Sequence, residues 1–336
     1  MSPALGSTDL ASTDRPLRDI HDAVFFDLDG VVYVGPHAVP GAVDAIEALT
    51  CPVAFLTNNA SRSASDVADH LRSFGLTLDD AAVVTSAEVV AGRIVKDVGA
   101  GARVLVAGGA GMHRAIEDAG LTVVTSAADD PAAVVQGGVD DVRWSELAEV
   151  SYAVAADVPW YASNPDLTFP TARGLAPGNG AMVQAVQTVT GGAPVVAGKP
   201  GRLIYDTARE RLRAQNPLMV GDRLDTDIDG AIAAGTRSLM VLTGVNDLLD
   251  AFAVPAGRRP DFIAADLTGL AAIHAPVQVH GDRAVCADAV ATVSGGIVDI
   301  EGGPGELAAL RAAVQLAWSW RDASDVIARP GGTLDA

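Results

Sequence analysis

One stretch constrains the fold more than any other: Ala23 to Val34, AVFFDLDGVVYV. The unbroken apolar run Ala23 to Phe26 suits a strand buried on both faces, the condition of strands in a parallel sheet. It breaks into Asp27-Leu28-Asp29-Gly30, which puts two carboxylates two residues apart where the strand stops. At strand spacing both point to one face, and the carboxyl ends of parallel strands are where α/β sheets bind ligands. Two like charges this close repel, so either one holds a proton or a cation sits between them. An acidic turn that merely caps a strand would carry the same letters, and the rest of the chain must decide.

The pattern recurs downstream. Pro40 to Leu49 reads as a helix behind a first-turn proline, and Pro52 to Thr57 as a second buried strand ending in Thr57-Asn58-Asn59. Ser65 to Phe74 follows as an amphipathic helix closed by Gly75. Strands alternating with helices predict an α/β fold with a doubly wound parallel sheet. A second such run starts at Val104 to Ala107 and includes a helix over Trp144 to Ala155 and a strand at Trp160 to Ala162. Ser163 to Gly180 holds three prolines and three glycines without apolar period, so it reads as a long loop, functional or mobile. Pro217 to Val220 is another buried strand, ending in Gly221-Asp222-Arg223-Leu224-Asp225-Thr226-Asp227. From about Val277, short alternating segments predict a small antiparallel sheet. A helix over Glu306 to Arg321 follows, with Leu307, Leu310, Val314, Ala317 and Trp318 on one face. The first twenty residues carry acids and no apolar run, and read as a disordered tail rather than a signal peptide.

Composition excludes several partners. A net charge of −19 argues against binding nucleic acid or an anionic membrane surface, and no apolar run approaches the 18 residues of a span. The two cysteines, Cys51 and Cys286, lack metal-type spacing and read as reduced thiols of a cytoplasmic protein. Gly109-Ala110-Gly111 fails the dinucleotide pattern at Arg114. Gly198-Lys199 is no phosphate-binding P-loop, with Ala193 and Pro200 at required positions. Only two of the 23 basic residues are lysines, so Lys199, kept against that bias, reads as needed for its compact ammonium.

Asp27-x-Asp29-Gly30-Val31, Thr57, Lys199 and Gly221-Asp222-x-x-x-Thr226-Asp227, in that order and at strand ends, resemble the four motifs of the haloacid dehalogenase-like phosphatase superfamily. The insertion between Thr57 and Lys199, with Asn58-Asn59-Ala60-Ser61-Arg62 and the Pro165 to Gly180 segment, resembles the α/β cap of its 4-nitrophenylphosphatase-like branch. The resemblance implies a phosphatase core over 21–86 and 194–265, a cap over 87–193 and an acetyltransferase-like α+β extension over 266–336. No Gly-rich stretch for a coenzyme A pyrophosphate is present, so a second activity is not expected.

What the resemblance further implies is a Mg²⁺-dependent phosphomonoester hydrolase. Asp27 is the expected nucleophile, Asp29 the acid and base, and Thr57 and Lys199 the groups that hold and neutralise the phosphoryl oxygens. Mg²⁺ is expected at Asp27, Asp29 (through its carbonyl), Asp222 and Asp227, the last orienting the metal's water shell. Asp225 reads equally as metal support or as a solvated carboxylate. Asn58, Asn59, Arg62, Asn164, Asp166 and Arg173, with Asn179, are candidates for contacting the substrate. The expected partner is a small phosphorylated metabolite. Glycerol 3-phosphate from glycerophospholipid headgroup recycling comes first, with a UMP-type nucleotide, phosphoglycolate or 4-nitrophenyl phosphate as alternatives. A homo-oligomer stays open. A sensor without turnover would be expected to lack Asp27 or Asp29, and a dehalogenase proper would not need Asp222.

Overall fold

The structure is a computed structural model, and it describes residues 9–138, 142–171, 173–301 and 307–332. The opening run forms the strand Ala23–Phe26, all four residues buried. Pro217–Gly221 pairs with it in parallel on one side, with Phe26 opposite Val220, and Val53–Thr57 on the other, with Phe26 opposite Phe55. Named by first residues, the sheet order is Phe262, Arg237, Pro217, Ala23, Val53, Val83. From Ala23 the chain winds outward through Val53 one way, and from Pro217 through Arg237 and Phe262 the other. The reversal falls between Ala23–Phe26 and Pro217–Gly221, the two strands that run into Asp27 and Asp222. A doubly wound sheet binds ligands at this switch point.

The chain forms two compact units. One takes the chain up to Phe55, Phe74–Thr77 and everything from Arg209; the other takes Leu56–Ser73 and Leu78–Ala208. The second unit therefore reaches further along the chain than residues 87–193. It has its own five-stranded parallel sheet, ordered by first residues Val195, Trp160, Ala133, Arg103, Thr122. Helices Trp144–Ala155 and Asn179–Thr190 cover it, burying Val150, Ala153, Val183 and Val186 against Leu105, Val134 and Trp160.

Three expectations need correction. The segment Ser163 to Gly180 contains an antiparallel hairpin, Thr168–Thr171 with Gly174–Pro177, and the start of the next helix. Both strands of a lone hairpin are edges, where proline is tolerated, so the prolines hid the pairing. The leading segment is packed from Leu10 onward: Leu10 and Leu17 are buried, and Ala11 and Thr13 donate to the carbonyls of Asp261 and His274. Residues 1–8 of that segment lie outside the described residues. The third correction concerns the C-terminal helix.

That extension is built as alternating patterning predicts. Val277–His280, Arg283–Cys286, Ala289–Ser294 and Ile297–Glu301 form an antiparallel meander that turns Ala284, Cys286, Ala291 and Val298 inward. The helix Leu307–Ser324, however, is buried at every position from Ala309 to Trp318 rather than along one face. Layers lie on both sides of it. Its apolar cluster joins Ala291 and Val298 of the meander to Met240, Phe252 and Ile263 of the main sheet region. Arg311 is buried there because its guanidinium donates to the carbonyls of Ala11 and Ala275 and to His274 Nδ1. Among the described residues, no helix is long and apolar enough to cross a membrane.

Candidate active site

The strand Ala23–Phe26 stops where Asp27 begins the turn, so the two carboxylates do not continue its alternation. Asp27 is 8% exposed and Asp29 is exposed to solvent. Asp27 instead meets the carboxylates of the neighbouring strand's loop. Asp27, Asp222 and Asp227 each place one oxygen within 4.8 Å of the others, and all three are buried. Asp29 is not in that group.

The backbone around this cluster is shaped to hold it. Gly221–Ile228 leaves the strand through one wide π-type turn over Leu224–Ile228, a geometry common at functional sites. Within it, Asp227 Oδ2 accepts from the Arg223 N–H at 3.1 Å. Asp222 Oδ2 accepts from the Val245 N–H at 2.6 Å, and the Asp222 carbonyl accepts from the Asn246 N–H at 3.3 Å. Two glycines lie flat against the Asp222 carboxylate. A Cβ on Gly244 would sit 2.0 Å from Asp222 Oδ2, and one on Gly30, whose φ is +90°, 2.5 Å from it. Thr243 Oγ1 donates to the Gly30 carbonyl at 2.6 Å, tying the first loop to the Thr243–Asn246 segment.

Three buried carboxylates this close form a hard-oxygen donor set that suits a small divalent cation, and Mg²⁺ fits it. Asp227 lies inside the set, with a carboxylate oxygen within 4.8 Å of one from Asp27 and one from Asp222. Asp225 points elsewhere: Arg223 pairs with it through two hydrogen bonds of 3.0 and 2.9 Å. Partial burial raises its pKa, but the Arg223 hydrogen bonds and charge outweigh this and hold it below the usual carboxylate value.

In the second unit, Asn58 is the hub. Its Nδ2 donates to the Asp166 carboxylate and to the Lys199 carbonyl, and its Oδ1 accepts from the Lys199 N–H at 2.8 Å. Its carbonyl accepts from Asn164 Nδ2 at 2.7 Å and Ser86 Oγ at 2.9 Å. Asn164 Oδ1 accepts from the Asp166 N–H, and Asn179 Nδ2 donates to the Asn164 carbonyl. The side chains of Asn58, Asn164 and Asn179 thus spend their hydrogen bonds on fixing loops.

Asn59 Oδ1 accepts from the Ser61 N–H, and Thr57 Oγ1 accepts from the Asn59 N–H. Lys199 is 3% exposed. Arg62 is exposed beside a surface cavity of about 420 Å³ shared with Ser63, Ser65, Glu88 and Arg114. Arg173 is exposed at the turn of the Thr168–Pro177 hairpin.

Sequence reasoning missed Thr243, Gly244, Val245 and Asn246, which hold the carboxylate cluster from the third strand end. The usable signal was the same strand-end rule, applied to the buried strand Arg237–Val241 beside Pro217–Gly221.

A model described as haloacid dehalogenase-like hydrolase matches residues 24–122, and a second HAD-hydrolase-like model matches 196–270. The chain is 43% identical over 289 residues to a D-glycerol 3-phosphate phosphatase of Mycobacterium tuberculosis, covering 86% of this chain and 79% of that protein. The crystal structure of glycerol phosphate phosphatase from that organism in complex with magnesium superposes with a TM-score of 0.82 at 40% identity, over 94% of each chain. A p-nitrophenyl phosphatase from Archaeoglobus fulgidus matches with a TM-score of 0.70 at 28% identity, over 75% of this chain and 98% of its own.

Proposed function

From the premise that the chain belongs to the haloacid dehalogenase-like hydrolases and is a phosphatase, we propose that its substrate is glycerol 3-phosphate and that Asp27 is its nucleophile. The observation that carries the reading is the buried set of Asp27, Asp222 and Asp227 at the sheet's switch point. When bound by these three side chains, Mg²⁺ screens the charge of the phosphate dianion and polarises its P–O bonds.

An Asp27 oxygen attacks phosphorus along the line of the leaving group, and the P–O bond to the glycerol carbon chain breaks. Asp29, in its protonated form, gives its proton to the departing alkoxide, which would otherwise leave as a strong base. The product alcohol departs and an aspartyl-phosphate remains on Asp27. Asp29, now a carboxylate, takes a proton from water as that water attacks phosphorus, which frees inorganic phosphate and restores Asp27. The exposure of Asp29 supports this double use, because water and product can both reach it.

Thr57 and Lys199 are proposed for the phosphoryl group, Thr57 as a hydrogen-bond donor and Lys199 as the neutralising charge, on the strength of the motifs they match. Asn58, Asn59, Arg62, Asn164, Asp166 and Arg173 keep the proposal of contacts to the substrate. Cys51 and Cys286 are unpaired, which supports a reducing, cytoplasmic setting.

Phosphate release from glycerol 3-phosphate, UMP and phosphoglycolate, side by side with and without chelator, tests the substrate. Chelator-sensitive release with the highest kcat/KM on glycerol 3-phosphate is expected. A higher value on either other ester would overturn the assignment.

A further inference from the structure

The metal-site loop is held from a distance. Asn246 carries three hydrogen bonds that join separate elements. Its N–H reaches the Asp222 carbonyl, its Oδ1 accepts from the Leu224 N–H at 2.8 Å, and its Nδ2 donates to Asp250 Oδ2 at 3.0 Å. Asp250 belongs to the short helix Leu248–Phe252 and closes a reciprocal cap with Asp247, each side chain accepting the other's N–H. The near end of this short helix is thus bolted to the loop that carries Asp222 and Asp227.

Its far end is gripped by the C-terminal helix Leu307–Ser324. Trp318 Nε1 donates to the Ala251 carbonyl at 2.7 Å, and Arg321 donates to the Ala253 carbonyl. Arg259 donates to the Val254 carbonyl, forms a fork on Asp322 at 2.9 and 2.6 Å, and stacks its guanidinium 4.8 Å over the Trp318 ring. Leu224 and Ile228, which flank Asp225 and Asp227, pack into the same apolar cluster as Phe252 and Trp318. Polar and apolar contacts thus run without a break from the C-terminal helix to the carboxylate cluster.

We propose that the C-terminal extension is a strut for the metal site: the helix Leu307–Ser324 fixes the Asp222 and Asp227 loop through the helix Leu248–Phe252, with Asn246 as the joint. Asn246 and Trp318 are positioning residues. The inference rests on the proposal that Asp27, Asp222 and Asp227 hold Mg²⁺. A loop pinned at its carbonyl, at the Leu224 N–H and along its apolar side keeps its carboxylates converged without the metal. Metal binding then costs no ordering of the loop. Groups that orient ligands in this way are worth roughly 10- to 100-fold in metal affinity.

The test is Mg²⁺ titration by calorimetry on the full chain at a temperature where every variant is folded by circular dichroism. Asn246→Ala removes both side-chain bonds of the joint, and Trp318→Phe leaves a smaller aromatic ring in place while removing the indole donor. Gly92→Ala, in the helix Ser86–Val98 with nothing within 4 Å of its added Cβ, is the control. Asn246→Ala is expected to weaken Mg²⁺ binding by roughly 10-fold or more. Trp318→Phe is expected to weaken it in the same direction by a smaller factor, and kcat at saturating Mg²⁺ is expected to change less than the affinity in both. Wild-type affinity in Trp318→Phe, whatever its melting temperature, would overturn the strut. Wild-type affinity in Asn246→Ala would overturn the joint. Absence of Mg²⁺ binding by the wild-type protein would sink the metal reading itself, a result distinct from either.

Discussion

Gly244→Ala sets a single added methyl group against the carboxylate cluster. The added Cβ would stand 2.0 Å from Asp222 Oδ2 and 2.5 Å from its Cγ, against the 3.4 Å at which ordinary contact begins. The carboxylate must therefore retreat by roughly 1 Å or more, in an interior too closely packed to yield freely. Its retreat is blocked on the Gly30 side, where the backbone already lies against Oδ2, and it would stretch the 2.6 Å bond from the Val245 N–H. Gly244 itself is exposed and its φ lies outside the left-handed region, so the backbone accepts alanine and the cost falls on Asp222. Overpacking of this kind costs about 1–3 kcal/mol of stability. Displacing a ligand should raise the half-saturating Mg²⁺ concentration at least as far as the roughly 10- to 100-fold seen when a ligand loses its support. The assay is activity against Mg²⁺ concentration, paired with melting curves with and without Mg²⁺. Gly244→Ala should melt lower than wild type and gain less from Mg²⁺. An unchanged Mg²⁺ dependence would refute the argument, because Asp222 would then be free to move without consequence for the metal.

Two further outcomes follow from the same structure. His274 is fully buried, with Nε2–H donated to the Gly269 carbonyl at 3.0 Å and Nδ1 accepting from Arg311. Burial first, and then the Arg311 charge, lower its pKa to about 4 against the opposing pull of the Gly269 bond. The unfolded chain takes up this proton near pH 6.5 and the folded one only near pH 4, so this contribution is complete above pH 6.5 and lost as pH falls toward 4. Its size is about 3 kcal/mol. Denaturant unfolding at pH 7 and pH 4.5 should show wild type losing roughly 2–3 kcal/mol more than His274→Gln; parallel losses would mean that the imidazole is not held neutral. Asp29→Asn should slow hydrolysis of glycerol 3-phosphate by roughly 10²- to 10⁴-fold and that of 4-nitrophenyl phosphate far less, since nitrophenolate leaves without a proton. Equal losses on the two esters would remove Asp29 from the acid role.

What could be read from the letters was whatever a single strand end displays. Asp27, Asp222 and Asp227 follow buried apolar runs, and a parallel sheet brings such ends together whatever their separation in sequence. The doubly wound order was legible for the same reason. The partners of Asn58 are not legible in its neighbourhood of sequence, because Asp166 and the Lys199 backbone lie more than a hundred residues away. Asn246 was invisible for a related reason. It acts by joining the Asp222–Leu224 loop to the helix Leu248–Phe252, and only the register between Pro217–Gly221 and Arg237–Val241 shows that the two segments adjoin. The C-terminal helix showed its apolar stripe, but not the second layer that buries Arg311 and Gln315 as well. The hairpin at Thr168–Pro177 was concealed by prolines that only an edge strand accepts.

The central claim is that Asp27 carries the phosphoryl group, and trapping it is the most direct test. The full chain, loaded with Mg²⁺ and mixed with radiolabelled glycerol 3-phosphate, is quenched in acid within a turnover and digested for mass spectrometry. A hydroxylamine-sensitive label on the peptide containing Asp27, absent in Asp27→Asn together with turnover, is the predicted result. Label on another residue, or turnover that persists in Asp27→Asn, would contradict it.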